Sequence, residues 1–447
     1  MIPHLVLKIG KSGIYIIRIK KLHLLYLLFV SLCFHNFYRL SFAYVLIPIT
    51  IYLLLLLNID RKKLEIRNSN KLFIAYVLIL FMSIYIVAIS FVSEGFIYTI
   101  IGITRYFYVL IIALVVFITV KNEKTVNNLL HLYVICIAIG SLTIPLQLFT
   151  GPISWFTEST NRSGLIRYSS LFGNISAMGI IGGTGLVSTL LLNYKNKNIK
   201  RFILLSILIG MGMSLQRAGI ANIILAIIVY VYLIDIKSSR KIILLLTATS
   251  VVILTLLFLI NYGPTKIYTS FFITSLGINS GVDAPVDYTP ISNQIYYRLF
   301  TNVTVHFIER LSPILFFTGL GFSGLGGVLG QTGYNFTHND FFNILAVGGI
   351  LYLVLFLYIF LYIIIQLRKY IKISKKIGNK LFTNNLIVLL GAHLLFLFNI
   401  PMGSGNFIHP NHSILFWTTI GLLSGHYYNF FHTIRFYKGS LNAYRRV

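Results

Sequence analysis

Residues 72–92 read LFIAYVLILFMSIYIVAISFV, an uninterrupted apolar run held between Lys71 and Glu94. As an α-helix at 1.5 Å per residue, a run of this length covers about 30 Å, the thickness of a bilayer's hydrocarbon core. Outward from it the pattern repeats. Apolar runs lie at about 22–37, 39–58, 96–120, 126–149, 170–193, 200–214, 217–236, 241–262, 341–366, 381–400 and 411–430. With 72–92 they predict an all-α polytopic membrane protein of about twelve transmembrane helices. The seventh and eighth runs are short and meet at Ser214–Gly219, a turn tight enough to carry polar backbone toward the membrane within a protein-lined cavity.

Composition agrees. The chain of 447 residues is 57% hydrophobic and 15% aromatic, with 11% charged residues where a soluble domain carries about 25%. Its mean hydropathy is +0.84. Two or three soluble domains, the usual expectation for this length, are excluded. Lys and Arg number 37 against 10 acids, a net charge of +27. Nucleic-acid binding is the ordinary reading of such an excess, but here the basic residues fall in short clusters between apolar runs, where topology accounts for them. Cys33 and Cys136 both lie within apolar runs, so the sequence offers neither a disulfide framework nor a zinc cluster. The basic N-terminus precedes an apolar run with no small-residue cleavage site, which predicts a retained first helix.

Charge sorting sets the expected orientation. With both termini in the cytoplasm, the clusters at 8–21, 61–71, 121–124, 195–201, 237–241, 368–380 and 435–446 all fall inside. The expected layout is nine spans in 1–262, an extracytoplasmic loop with short amphipathic helices at 263–340, and three spans with a basic cytoplasmic tail in 341–447. The outer face then holds Arg39, Arg162, Arg167, Arg217, Arg298, Arg310 and Lys266, beside Glu94, Glu158, Asp283, Asp287, Glu309 and Asp340. Arginine kept where topology disfavours positive charge suits planar recognition of phosphate or carboxylate.

Arg217 stands in Ser214-Leu215-Gln216-Arg217-Ala218-Gly219, near the first turn of the eighth span, where free backbone N–H groups favour an anion. A snorkelling interfacial arginine is the plainer reading; the small neighbours Ala218 and Gly219 favour a ligand. Arg167 precedes Leu171-Phe172-Gly173-Asn174, and Arg298 lies in Tyr296-Tyr297-Arg298-Leu299-Phe300 ahead of an amphipathic stretch. Arg105, about nine residues inside the fourth span, costs at least ~2.5 kcal/mol facing lipid and is expected to face the bundle. Gly319-Leu320-Gly321-Phe322-Ser323-Gly324 matches a dinucleotide fingerprint by letter only, without a βαβ unit; it reads as a flexible loop approaching a bulky substrate. Thr337-His338-Asn339-Asp340 precedes the tenth span, with Asn339 or Asp340 as N-cap. Capping leaves His338 unexplained, and a neutral imidazole there can act as general base toward a sugar hydroxyl. His409 and His412 are expected to be interfacial.

In this order these segments resemble those of the O-antigen ligase and polymerase superfamily of bacterial membrane glycosyltransferases. Arg167…Leu171-Phe172-Gly173-Asn174 is similar to its R…S-x-F-G-N-P-N segment, with Ile175-Ser176 in place of Pro-Asn. Ser214–Gly219 is similar to its S-x-S-R-x-G turn, with Gln216 for Ser. Arg298 followed by Gly319-Leu320-Gly321 resembles R…G-x-G, and His338-Asn339-Asp340-Phe341-Phe342…Gly348-Gly349 resembles H-N-x-x-L…G-x-x-G. The likeness covers about 165–360.

The resemblance implies a GT-C-like enzyme without metal or other cofactor, acting on undecaprenyl-diphosphate-linked oligosaccharides as donor and acceptor at the outer face of the bacterial inner membrane. It implies catalytic roles for His338, Arg217 and Arg298, diphosphate contacts from Arg167, Arg217, Arg298 and Arg105, and secondary roles for Asn339 and Asp340. A chain-length regulator and a flippase are the further partners it suggests. Polymerisation of repeat units is the expected reaction. Ligation to a lipid A core sugar is the alternative, and a transporter of an anionic solute is a third reading, disfavoured because no internal repeat is visible. Tyr288, Tyr296, Tyr297 and Tyr334 are available to stack on sugar rings.

Overall fold

The fold comes from a computed structural model, which describes residues 21–34, 47, 49–53, 55, 70–94, 99, 103, 108–153, 159–162, 165–173, 177–214, 217–234, 313–321, 339–400 and 410–432. For some of these, Arg167 and Arg217 included, the backbone alone is described. In chain order the elements begin with helices α1 (Lys21–Cys33), α2 (Lys71–Glu94), α3 (Tyr108–Thr119) and α4 (Glu123–Thr150). A hairpin of β1 (Ser159–Arg162) and β2 (Leu165–Tyr168) follows. Then come α5 (Ala177–Leu191), α6 (Lys197–Met213), α7 (Arg217–Leu233), α8 (Pro313–Thr318), α9 (Asp340–Ile377), α10 (Lys380–Asn399) and α11 (Pro410–Ser424).

Among the described residues, α2, α4, α9 and α10 have the length and apolar composition to cross a membrane, while α1, α3, α5 and α7 are shorter apolar helices. Their outward faces remain apolar: Phe81, Phe149, Leu351 and Ile365 are each at least 60% exposed. A water-soluble bundle would place polar residues there; hydrocarbon requires none. The protein is a helical, membrane-embedded chain. Its second expected span lies mostly, and its ninth wholly, outside the described residues.

Helix α5 is the axis of the bundle, with every residue buried. Small residues make this packing possible, since without them backbones in lipid stay too far apart for close contact. A Cβ at Gly183 would meet Asn222 of α7 and Leu395 of α10, and one at Gly185 would meet Ile137 of α4. Further out, Phe360 of α9 stacks on Phe396 of α10 and Phe416 of α11, with ring centroids 6.3 and 5.8 Å apart.

The contacts sort the helix termini onto two ends. At one, Lys200 of α6 donates from Nζ to the carbonyls of Leu190 and Leu192 at 2.7 and 3.3 Å, completing the C-terminus of α5. There too, Asn70 before α2 donates to the Ser424 carbonyl of α11 at 2.7 Å. Glu123, opening α4, accepts from Asn385 of α10 at 2.7 Å and from Tyr427 at 3.2 Å, and its other oxygen lies 3.0 Å from His426 Nε2. The α9–α10 turn closes this end, where Ser374 and Thr383 hydroxyls meet at 2.6 Å. We call it the lysine end, since Lys71, Lys124, Lys197, Lys376 and Lys380 all lie at helix termini here.

Helix α9 runs to Ile377, well past the 366 expected from hydropathy. Lysine and arginine are good helix formers, and no breaker intervenes until Gly378, whose φ of 78° ends the helix in the left-handed region. Its other departure is internal: Gly349 has φ 73° and ψ −177°, which breaks α9 into an outer piece, 340–348, and a long inner one.

Candidate functional site

The opposite, arginine end gathers the starts of α5, α7, α9 and α11. Side-chain contacts fix this placement. Asn222, in the second turn of α7, accepts at Oδ1 from Asn399 Nδ2 at 2.9 Å, and both asparagines are buried. Asn222 Nδ2 also donates to the Ala218 carbonyl. Neither asparagine was singled out from sequence. The available signal was an amide inside an apolar run, where polar side chains are costly unless partnered.

Arg217 is the first residue of α7. Helix α6 ends at Met213, and its cap Ser214 donates Oγ–H to the Met211 carbonyl at 2.7 Å. A Cβ at Gly219 would stand 3.1 Å from that same carbonyl, a tight contact that a glycine avoids. The first N–H groups of α7 have no partner within the helix and face the region at which Arg217 is rooted.

Arg167 lies on β2, paired with Thr160 of β1. The hairpin was not anticipated. The two residues joining Arg162 to Leu165 are Ser163-Gly164, a dipeptide common in turns, and that was the overlooked signal. After β2 the chain docks by its backbone. The Ser169 carbonyl accepts from Gln147 Nε2 at 2.9 Å, Leu171 N–H donates to Thr143 Oγ1 at 3.2 Å, and the Phe172 carbonyl accepts from Asn411 Nδ2 at 3.2 Å. Phe172 itself is a buried plug filling the space over Gly140 and stacked on Phe34. In the Phe172-Gly173 pair, then, the aromatic anchors the turn, and Gly173 supplies its φ of 81°.

Asn339 is the N-cap of α9, its Oδ1 accepting from Phe341 N–H at 3.1 Å. Asp340 is fully buried and accepts from Asn343 Nδ2 at 3.1 Å. Buried Asn411, His412 and Ser413 open α11. His412 is buried, and the start of α11 packs against the 169–173 turn through Asn411. Arg105, Arg298 and His338 lie outside the described residues, as do His409, Tyr288, Tyr296, Tyr297 and Tyr334. Among the described residues no three His, Cys, Asp or Glu side chains group as metal ligands would.

Gly319 and Gly321 also depart from expectation. Expected as part of a flexible loop, both are buried. Leu320 N–H donates to the Ala346 carbonyl at 2.7 Å, a Cβ at Gly319 would fall on the Val347 carbonyl, and one at Gly321 would meet Ser90 of α2. Their positive φ values, 78° and 68°, serve close backbone packing and not freedom of movement.

Arg167 and Arg217 are therefore placed by a strand and by a helix start at an end that also collects four helix N-termini. Each such terminus favours a nearby anion by about 0.3–1 kcal/mol, more where water is excluded. The arrangement suits a ligand carrying clustered negative charge. No family model matches the chain, and comparison with curated proteins finds no match.

Proposed function

We propose that the protein is a polysaccharide repeat-unit polymerase, transferring a growing glycan from undecaprenyl diphosphate to a lipid-linked repeat unit. The observation that carries the reading is Arg217 opening α7 at the end where the starts of α5, α9 and α11 also collect. The arginine end faces outward and the lysine end the cytoplasm, in keeping with the sorting of basic clusters. The protein resides in a bacterial inner membrane, with both termini inside and about twelve spans.

In this reading Arg217 and Arg298 hold the donor diphosphate, with Arg167 and Arg105 as supporting contacts. A departing diphosphate gains negative charge, and fixed guanidinium groups stabilise it without a metal ion. His338 removes the proton of the acceptor hydroxyl, while Asn339 and Asp340 order the start of α9 beside it. His338→Ala should then abolish turnover and leave donor affinity nearly unchanged; a large loss of donor binding would assign His338 to the diphosphate instead.

Deleting the gene tests the reaction. A polymerase mutant keeps a single repeat unit on its surface lipid. Surface lipid without any repeat unit would indicate ligation and would overturn the proposal.

A further inference from the structure

The break in α9 and the segment 313–321 are two halves of one joint. In an unbroken helix the Ala346 carbonyl accepts from the N–H of Ile350, four residues on. Here it accepts from Leu320, which belongs to another part of the chain. Gly349 makes room for this contact. Its φ of 73° and ψ of −177° belong to a region open essentially to glycine alone, and a Cβ there would fall on the Phe317 carbonyl. Gly319 makes the complementary accommodation, since its own Cβ would strike Val347 and Gly349. Two glycines, on two segments, are thus required by each other's backbone.

Gly349 is nine residues beyond Asp340 along α9, and 313–321 meets the helix there. Gly321 closes the joint on the other side against Ser90 of α2. Ile314 and Phe317 of the segment, like Leu351 and Val354 of α9, remain exposed and apolar, as hydrocarbon allows.

We propose that the segment 313–321 is a strap that holds α9 broken at Gly349 and thereby aims its outer piece, with Asn339 and Asp340 at the tip. Leu320 and Gly349 are positioning residues: they touch no reacting group and set the direction of the piece that does. This role rests on the polymerase reading, whereas the strap itself does not.

The test uses the full chain in lipid nanodiscs and compares Leu320→Pro, which removes the N–H donor, with Leu320→Ala, which keeps it. A third variant, Gly349→Ala, should close the helix and expel the strap. Amide hydrogen exchange over 313–321 should rise about tenfold in Leu320→Pro and in Gly349→Ala, while Leu320→Ala stays near wild type. Exchange over 350–377 should stay unchanged in all three. In a polymerisation assay kcat should fall by about 10- to 100-fold in the first two with donor KM retained, as expected of misplaced groups. Unchanged exchange over 313–321 in Leu320→Pro would overturn the strap, whether or not Gly349→Ala folds. Raised exchange with undiminished kcat would overturn the positioning role. If wild-type protein makes no polymer, the reaction reading fails, and the exchange result still decides the strap.

Discussion

The lysine end and the arginine end of the bundle are built on opposite plans. At the lysine end side chains bind helices directly to one another: Glu123 holds Asn385, His426 and Tyr427, Asn70 holds α11, and Lys200 finishes α5. At the arginine end, beside the Asn222–Asn399 side-chain pair, connecting segments dock through their backbone. The 169–173 turn and the strap dock by peptide groups, with Gly173, Gly319 and Gly349 in the backbone conformations this needs.

This contrast predicts that substitutions at the two ends fail differently. The largest effect belongs to Arg217→Lys. Charge is kept but the planar fork is lost, so polymerisation should fall by about 10²–10³-fold while the melting temperature stays within error. A comparable fall in stability would erase the distinction. Glu123→Ala should do the reverse. It leaves the Asn385 amide and Tyr427 hydroxyl without their acceptor in a poorly solvated place, costing about 2–4 kcal/mol in unfolding experiments. Catalysis by the protein that remains folded should be near normal. Asn339→Ala removes an N-cap at the arginine end and should cost about 1 kcal/mol, with a larger effect on kcat than on stability. The smallest change is Lys200→Met, which removes two hydrogen bonds to α5 carbonyls and should cost about 1 kcal/mol without altering kcat.

Hydropathy made the helices legible, because lipid enforces apolar runs of a set length. It could not show where α9 ends, since Arg368–Lys376 is polar yet strongly helix-forming and nothing stops it before Gly378. It gave no sign of the strap. Pro313–Gly321 is short and apolar, and its place is set by partners at Ala346–Gly349 that only the fold brings near. At the candidate site the Asn339 cap and the position of Arg217 at a helix start were readable from local pattern alone. The Asn222–Asn399 pair was not, because residues 177 positions apart meet only when α7 and α10 pack. Glycines proved hardest to read. Gly319-Leu320-Gly321 carries the same letters whether a loop is free or wedged between helices.

Glycan transfer between lipid-linked substrates is the activity proposed for the arginine end. It is tested with purified protein in liposomes, supplied with undecaprenyl-diphosphate-linked repeat units and no other enzyme. Polymer of increasing length with release of undecaprenyl diphosphate, abolished in Arg217→Lys, is the predicted result. Uptake of an anionic solute without polymer, or polymer formation indifferent to Arg217, would contradict it.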